Sequence, residues 1–120
     1  ARIGRPEKAY EMYLRTSRLD LDDYNNDTED GLHITSMGGT WMAVVMGFGG
    51  MRVRDGKLIF NPILPDGWTG YSFMVRFRGA LLKVDVNKKN IEIVNLSAVP
   101  VSTVINGGEV LVEGHTSKIQ

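Results

Sequence analysis

The feature that most constrains this chain is a change of hydrophobic period near residue 52. Ahead of it, apolar residues recur at three- and four-residue spacing. Behind it they alternate in short runs separated by Gly- and Asn-containing turns. That division predicts an α+β chain, two helices followed by a small antiparallel β-sheet or sandwich domain, with the boundary between residues 52 and 53. With 120 residues, the chain is long enough for one ordinary domain and short for two.

The first helix is predicted from Pro6 to Arg18. Pro6 suits a first turn, where its missing N–H is no loss. Ala9, Tyr10, Tyr13, Leu14 and Ser17 share one face. Glu7 and Glu11 stand early and Arg15 and Arg18 late, as the helix dipole favours. The run LDLDDYNNDTEDG that follows is dense in Asp and Asn, which compete with the helical backbone for hydrogen bonds, so it reads as a solvated loop. It lacks the residue order of an EF-hand, which argues against calcium.

A second helix is predicted to start at Thr35 or Ser36, with a hydroxyl as its cap. It runs through Thr40, Trp41, Val44, Val45 and Phe48 to a left-handed cap at Gly49-Gly50. Its apolar surface extends nearly all round, which predicts burial. Two helices make no core, so that cover must come from the β half or from further chain. The start, ARIGRPEKAY, has no initiator methionine and reads as the middle of a longer protein.

The β half offers about six strands. Asp55-Gly56, the NKKN run 87–90 and Asn106-Gly107-Gly108 read as hairpin turns. In YSFMVRFRG, Phe73, Val75 and Phe77 point one way, and Ser72, Met74, Arg76 and Arg78 point to a solvated face. Six strands are too few to close two full sheets, so either strands are missing or one sheet packs on the helices. NPILPDGW reads as a connecting loop anchored by Ile63, Leu64 and Trp68.

Composition excludes several functions. Fourteen acids balance fourteen bases, so there is no electrostatic pull toward nucleic acid or an anionic membrane. No apolar run reaches the ~18 residues of a spanning helix, and no signal peptide is expected. The absence of cysteine removes disulfides and thiolate metal sites and suits a reducing compartment. His33 and His115 are far apart, with no carboxylate at metalloprotease spacing, so no metal is expected.

One stretch carries a chemical suggestion: DGLHITSMGGTW, residues 30–41. Free N–H groups and partial positive charge collect at a helix start. His33, Thr35 and Ser36 add side-chain donors, and Gly38 and Gly39 leave room for a ligand. The same residues also suit a capped helix with glycines for close packing, and local physics leaves both readings open. Asp27, Glu29 and Asp30 are candidate general bases, but solvated carboxylates are the commoner case. Trp41 and Trp68 read as core before they read as sugar platforms. GFGG follows a helix rather than a strand, which argues against a phosphate cradle.

Taken together, the run GLHITSMGGTW, the later GFGGMR and the surrounding residues 13–65 resemble glycoside hydrolase family 65, which includes maltose, trehalose and kojibiose phosphorylases. The resemblance implies that residues 1–52 are the last helices of a catalytic (α/α)6 barrel and that residues 53–120 are the C-terminal β domain. It implies an inverting α-glucoside phosphorylase, of maltose type, that converts a disaccharide and phosphate to β-glucose 1-phosphate and glucose. It assigns phosphate binding to His33, Thr35 and Ser36, with Gly38 and Gly39 beside them. The general-acid glutamate falls upstream of this chain, so these residues alone would be inactive. Inorganic phosphate is then a co-substrate rather than a cofactor. The partners are the disaccharide and the remainder of the polypeptide, in a cytoplasmic homodimer. A trehalase-like hydrolase of the same family, or a non-catalytic β module that binds glycan, are the alternatives.

Overall fold

The computed structural model describes residues 3–19, 21–22 and 33–120. Most of the acidic run, including Asp27, Glu29 and Asp30, lies outside the described residues. Helix α1 spans Pro6–Ser17, with proline in its first turn, Glu7 early and Arg15 late. At its end, Arg18 grips the Asp22 carboxylate through two hydrogen bonds of 2.7 Å, holding that carboxyl below its ordinary range.

Helix α2 spans Ile34–Met42 and passes directly into a wider π-helical turn, Ala43–Phe48. Its start differs from the predicted one. His33, not Thr35 or Ser36, is the N-cap residue, with extended backbone and no side-chain cap bond. The His33 carbonyl accepts the N–H groups of Ser36 and Met37 at 2.9 and 3.2 Å. That starts the helix two or three residues early and places both hydroxyls inside its first turn. The β half does not supply the cover predicted for this helix. Among its described residues only Val45 and Phe48 are buried, while Ile34 is 82% and Trp41 48% exposed. The reason is geometric: α1 covers one side, and only the C-terminal end meets the β half.

The β half forms two four-stranded sheets rather than an incomplete set of six strands. One has the order β1-β2-β6-β7, from Arg52–Arg54, Lys57–Phe60, Val101–Ile105 and Gly108–Val112. The other has the order β3-β4-β5-β8, from Gly70–Phe77, Ala80–Asn87, Ile91–Asn95 and Ser117–Ile119. Strand β8 is exposed throughout, too short and polar to show an alternating pattern. Not every pairing is antiparallel. After Phe60 the chain leaves the first sheet, builds three strands of the second, and returns so that β6 runs parallel to β2.

Three tight turns have consecutive positive φ angles: Asp55-Gly56 (51° and 73°), Arg78-Gly79 (49° and 85°) and Asn106-Gly107 (48° and 86°). These match the twist of the strands they join. Arg78 therefore stands in a turn, not in the alternation of β3, and its guanidinium lies 5.4 Å from the centre of the Phe77 ring. The face of β3 otherwise follows the expected alternation, with Phe73 buried and Ser72, Met74 and Arg76 exposed.

Between the sheets lie Leu58, Phe60, Leu82, Val84, Ile93, Ile105 and Val112, none more than 1% exposed. The loop 61–69 joins this core to the helices. Its Ile63 N–H donates to the Phe48 carbonyl at 2.7 Å. Trp68 makes edge contacts with Tyr13, Phe48 and Tyr71 at ring separations of 5.6 to 5.9 Å, and its indole N–H reaches Tyr10 Oη at 3.4 Å. The geometry is that of favourable aromatic pairing, which adds to the area each ring buries.

Tyr71 sits within this junction, its hydroxyl donating to the Ile63 carbonyl at 3.1 Å. Burial of the phenol raises its pKa well above the ordinary value. The neutral form is favoured in the folded state, so Tyr71 supports folding fully below pH ~10, the unfolded value, and the support falls as pH rises beyond it. Tyr71→Phe should flatten the stability-against-pH curve above pH ~10. Chemical denaturation between pH 8 and 11 measures this, and parallel curves for the two proteins would contradict it.

Candidate functional site

The stretch singled out in the sequence lies where α1 and α2 pack side by side. Ser36, Met37 and Thr40 of α2 face Thr16 and Ser17 of α1 across an open groove of about 240 Å³. His33 is half-buried at the helix entry, Thr35 exposed and Ser36 half-buried. The N–H groups at the very start of α2 have no acceptor within the helix, as at any helix start, and the dipole favours negative charge there.

The hydroxyls divide into two sets. Thr16 donates to Met12 O at 3.0 Å, Ser17 to Leu14 O at 3.1 Å and Thr40 to Ser36 O at 2.9 Å. Those three protons are spent on helical carbonyls. The hydroxyls of Thr35 and Ser36 make no hydrogen bond to another described residue and are available to a ligand. Sequence reasoning missed Thr16 and Ser17 as walls of the groove. Ser17 was recognisable on the apolar face of α1, but its opposition to Ser36 depends on how the helices cross.

Gly38 and Gly39 stand in the second turn of α2. A methyl group at Gly39 would meet Thr16 Cγ2 at 3.6 Å, ordinary contact, and one at Gly38 would meet nothing within 4 Å. Neither glycine is demanded by packing within the described residues. Because glycine in a helix interior costs roughly 0.5–1 kcal/mol relative to alanine, Gly38→Ala should raise stability by about that amount. Thermal denaturation checks this, and a lowered midpoint would mean that the position packs against something further.

The other candidates separate from this site. Trp68 belongs to the aromatic junction, and Trp41 projects from α2, about half exposed. The GFGG run serves close packing: a side chain on Gly49 would lie 2.6 Å from the Val45 carbonyl oxygen and 2.9 Å from the Phe73 ring. Gly50 alone supplies the left-handed conformation expected of the pair, with φ +62° against −68° at Gly49.

Two family models match the chain. Residues 1–42 match the central catalytic domain of glycosyl hydrolase family 65, and residues 51–112 match the C-terminal domain of the same family. The chain belongs to glycosyl hydrolase family 65. It is 52% identical over 91 residues to maltose phosphorylase of Bacillus subtilis, an alignment covering 76% of this chain and 12% of that protein. It is 44% identical over 111 residues to the α,α-trehalose phosphorylase of Thermoanaerobacter brockii, covering 92% and 14%. A solved structure titled as a putative kojibiose phosphorylase from the human microbiome matches the whole chain with a TM-score of 0.88 at 32% identity, over 16% of its own length. The chain thus spans about an eighth to a sixth of the proteins it matches, and its β half is the C-terminal β-sandwich of this family.

Proposed function

We propose that this chain is the C-terminal part of an inverting α-glucoside phosphorylase and that it supplies the phosphate-binding loop. The observation that carries the reading is the start of α2. His33, Thr35 and Ser36 stand at the helix start, where the first N–H groups have no acceptor within the helix, with Gly38 and Gly39 one turn on. An inverting hydrolase needs a second carboxylate to activate water. Phosphate is already a nucleophile and needs only to be held and aimed, which a donor-rich helix start does. The names of the relatives support phosphorolysis, and maltose is the preferred disaccharide. In this reading residues 1–52 are barrel helices and residues 53–120 a separate β domain. The general acid comes from the preceding part of the polypeptide, so these residues alone are inactive. The working enzyme is a cytoplasmic homodimer.

The test uses the full-length enzyme. Maltose cleavage should require phosphate and yield β-glucose 1-phosphate and glucose. His33→Ala should raise the KM for phosphate at least about tenfold, the equivalent of ~1.4 kcal/mol, with a smaller effect on the KM for maltose. Cleavage that proceeds without phosphate would overturn the reading in favour of the hydrolase. Unchanged phosphate kinetics in the variant would remove the loop from it.

A further inference from the structure

A second groove lies beside Pro62 and Leu64 of the loop 61–69, between the β4–β5 turn of one sheet and the β6–β7 turn of the other. It encloses about 320 Å³, the lower end of the range for small-molecule sites. Asn87, Lys88, Lys89, Asn90, Asn106 and Gln120 supply its polar lining, and no aspartate or glutamate side chain is among its walls. Lys88 and Lys89 form no ion pair with a described residue, unlike Lys57, which pairs with Glu109, and Lys83, which pairs with Asp85.

The turn that carries the lysines is internally braced. Asn87 Oδ1 accepts the N–H groups of Lys89 and Asn90 at 2.8 and 3.1 Å, and its Nδ2 donates to Asn90 Oδ1 at 2.7 Å. The Asn87 N–H donates to the Asn90 carbonyl at 3.0 Å. The turn is therefore fixed without help from the lysine side chains. The Asn90 amide N–H groups and the Asn106 side chain keep their hydrogen-bonding capacity for a ligand, as no described residue takes it. On the opposite wall Asn106 is held by its own N–H, which donates to the Phe60 carbonyl at 3.0 Å. Two cations and several amides around a cavity free of carboxylate side chains suit an anion with a polar body.

We propose that this groove is a second binding site, distinct from the α1–α2 groove, for a hexose monophosphate. Lys88 and Lys89 meet the phosphate, and the side-chain amides of Asn90 and Asn106 meet the hydroxyls. The anion site stands on the lining alone, while the choice of a sugar phosphate rests on the phosphorylase reading.

Glucose 6-phosphate is the probe, titrated into the full-length protein by calorimetry with inorganic phosphate in parallel. Saturable binding is expected, weakening as salt rises. Lys88→Gln/Lys89→Gln should weaken it at least about tenfold, whereas His33→Ala should leave it intact. Both lysines are exposed, and an unchanged melting temperature would confirm that the double variant folds. Binding lost in His33→Ala but kept in the lysine variant would place the ligand at the α1–α2 groove and overturn the proposal. No saturable binding at millimolar probe would overturn it equally. Equal affinity for inorganic phosphate would remove the sugar from it. A phosphorylase reading that fails its own test leaves the lysine result unaffected.

Discussion

Gly50→Ala is expected to destabilise the folded chain by about 2–5 kcal/mol, combining the cost of a left-handed non-glycine residue with that of overpacking. Gly50 has φ +62°, and a side chain there would press on the backbone of Asn61, most closely on its carbonyl oxygen. Backbone cannot swing aside as the end of a flexible side chain can. The contact also sits where the π turn hands over to the first sheet, beside the Ile63 to Phe48 hydrogen bond. Relief at Gly50 would therefore disturb the seat of the helices on the sandwich. The measurement is the denaturation midpoint, with a fall of roughly 10 °C or more expected. Gly67→Ala is the comparison. Its φ is +81° and a methyl group there meets nothing within 4 Å, so only the dihedral cost of ~1–2 kcal/mol applies. Equal losses for the two variants would show that crowding against Asn61 contributes nothing.

Asn95→Asp should cost about 3–5 kcal/mol at pH 7, the range for an uncompensated buried charge. Asn95 is fully buried at the end of β5. Its Nδ2 donates to the carbonyls of Val99 at 2.7 Å and Val112 at 3.3 Å, and its Oδ1 accepts the Ser97 N–H at 3.0 Å. The side chain thus ties the second sheet to β7 of the first. Aspartate has the same shape but cannot donate when ionised, and it would turn a negative charge on two carbonyl oxygens. Burial and those oxygens would raise its pKa in the folded state above the unfolded ~3.9. The loss should therefore be greatest above that folded value and shrink as pH falls toward ~4, where the protonated acid regains one donor. Denaturant titrations at pH 4.5 and pH 7 measure it. A pH-independent loss would mean that volume or backbone, not charge, is at fault.

The helices and hairpin turns were legible because their signals are local. Pro6 with the spacing of Tyr10 and Tyr13 marks α1, and Asp55-Gly56 and Asn106-Gly107 mark turns whose φ angles few other pairs adopt. The Arg78-Gly79 turn was hidden, because Arg78 extends the alternation of β3 and only Gly79 hints at a break. The start of α2 was misplaced by two or three residues because a hydroxyl in the first turn resembles a hydroxyl at the cap. Of the candidate site, the residue types were legible at His33, Thr35 and Ser36. The groove wall at Thr16 and Ser17 was not, since two helices some twenty residues apart must first be brought together.

By itself, the sequence determined the α+β division near residue 52, most of the strands and the family to which the chain belongs, because period, turn residues and motif identity are all properties of neighbours along the chain. Tertiary structure alone decided the parallel return of β6 beside β2, the burial of Asn95 between the sheets and the seating of Trp68 among Tyr10, Tyr13, Phe48 and Tyr71. Each of these depends on which distant surfaces exclude water from one another. Asn95 looks like any surface asparagine until Val99 and Val112 arrive to accept its protons.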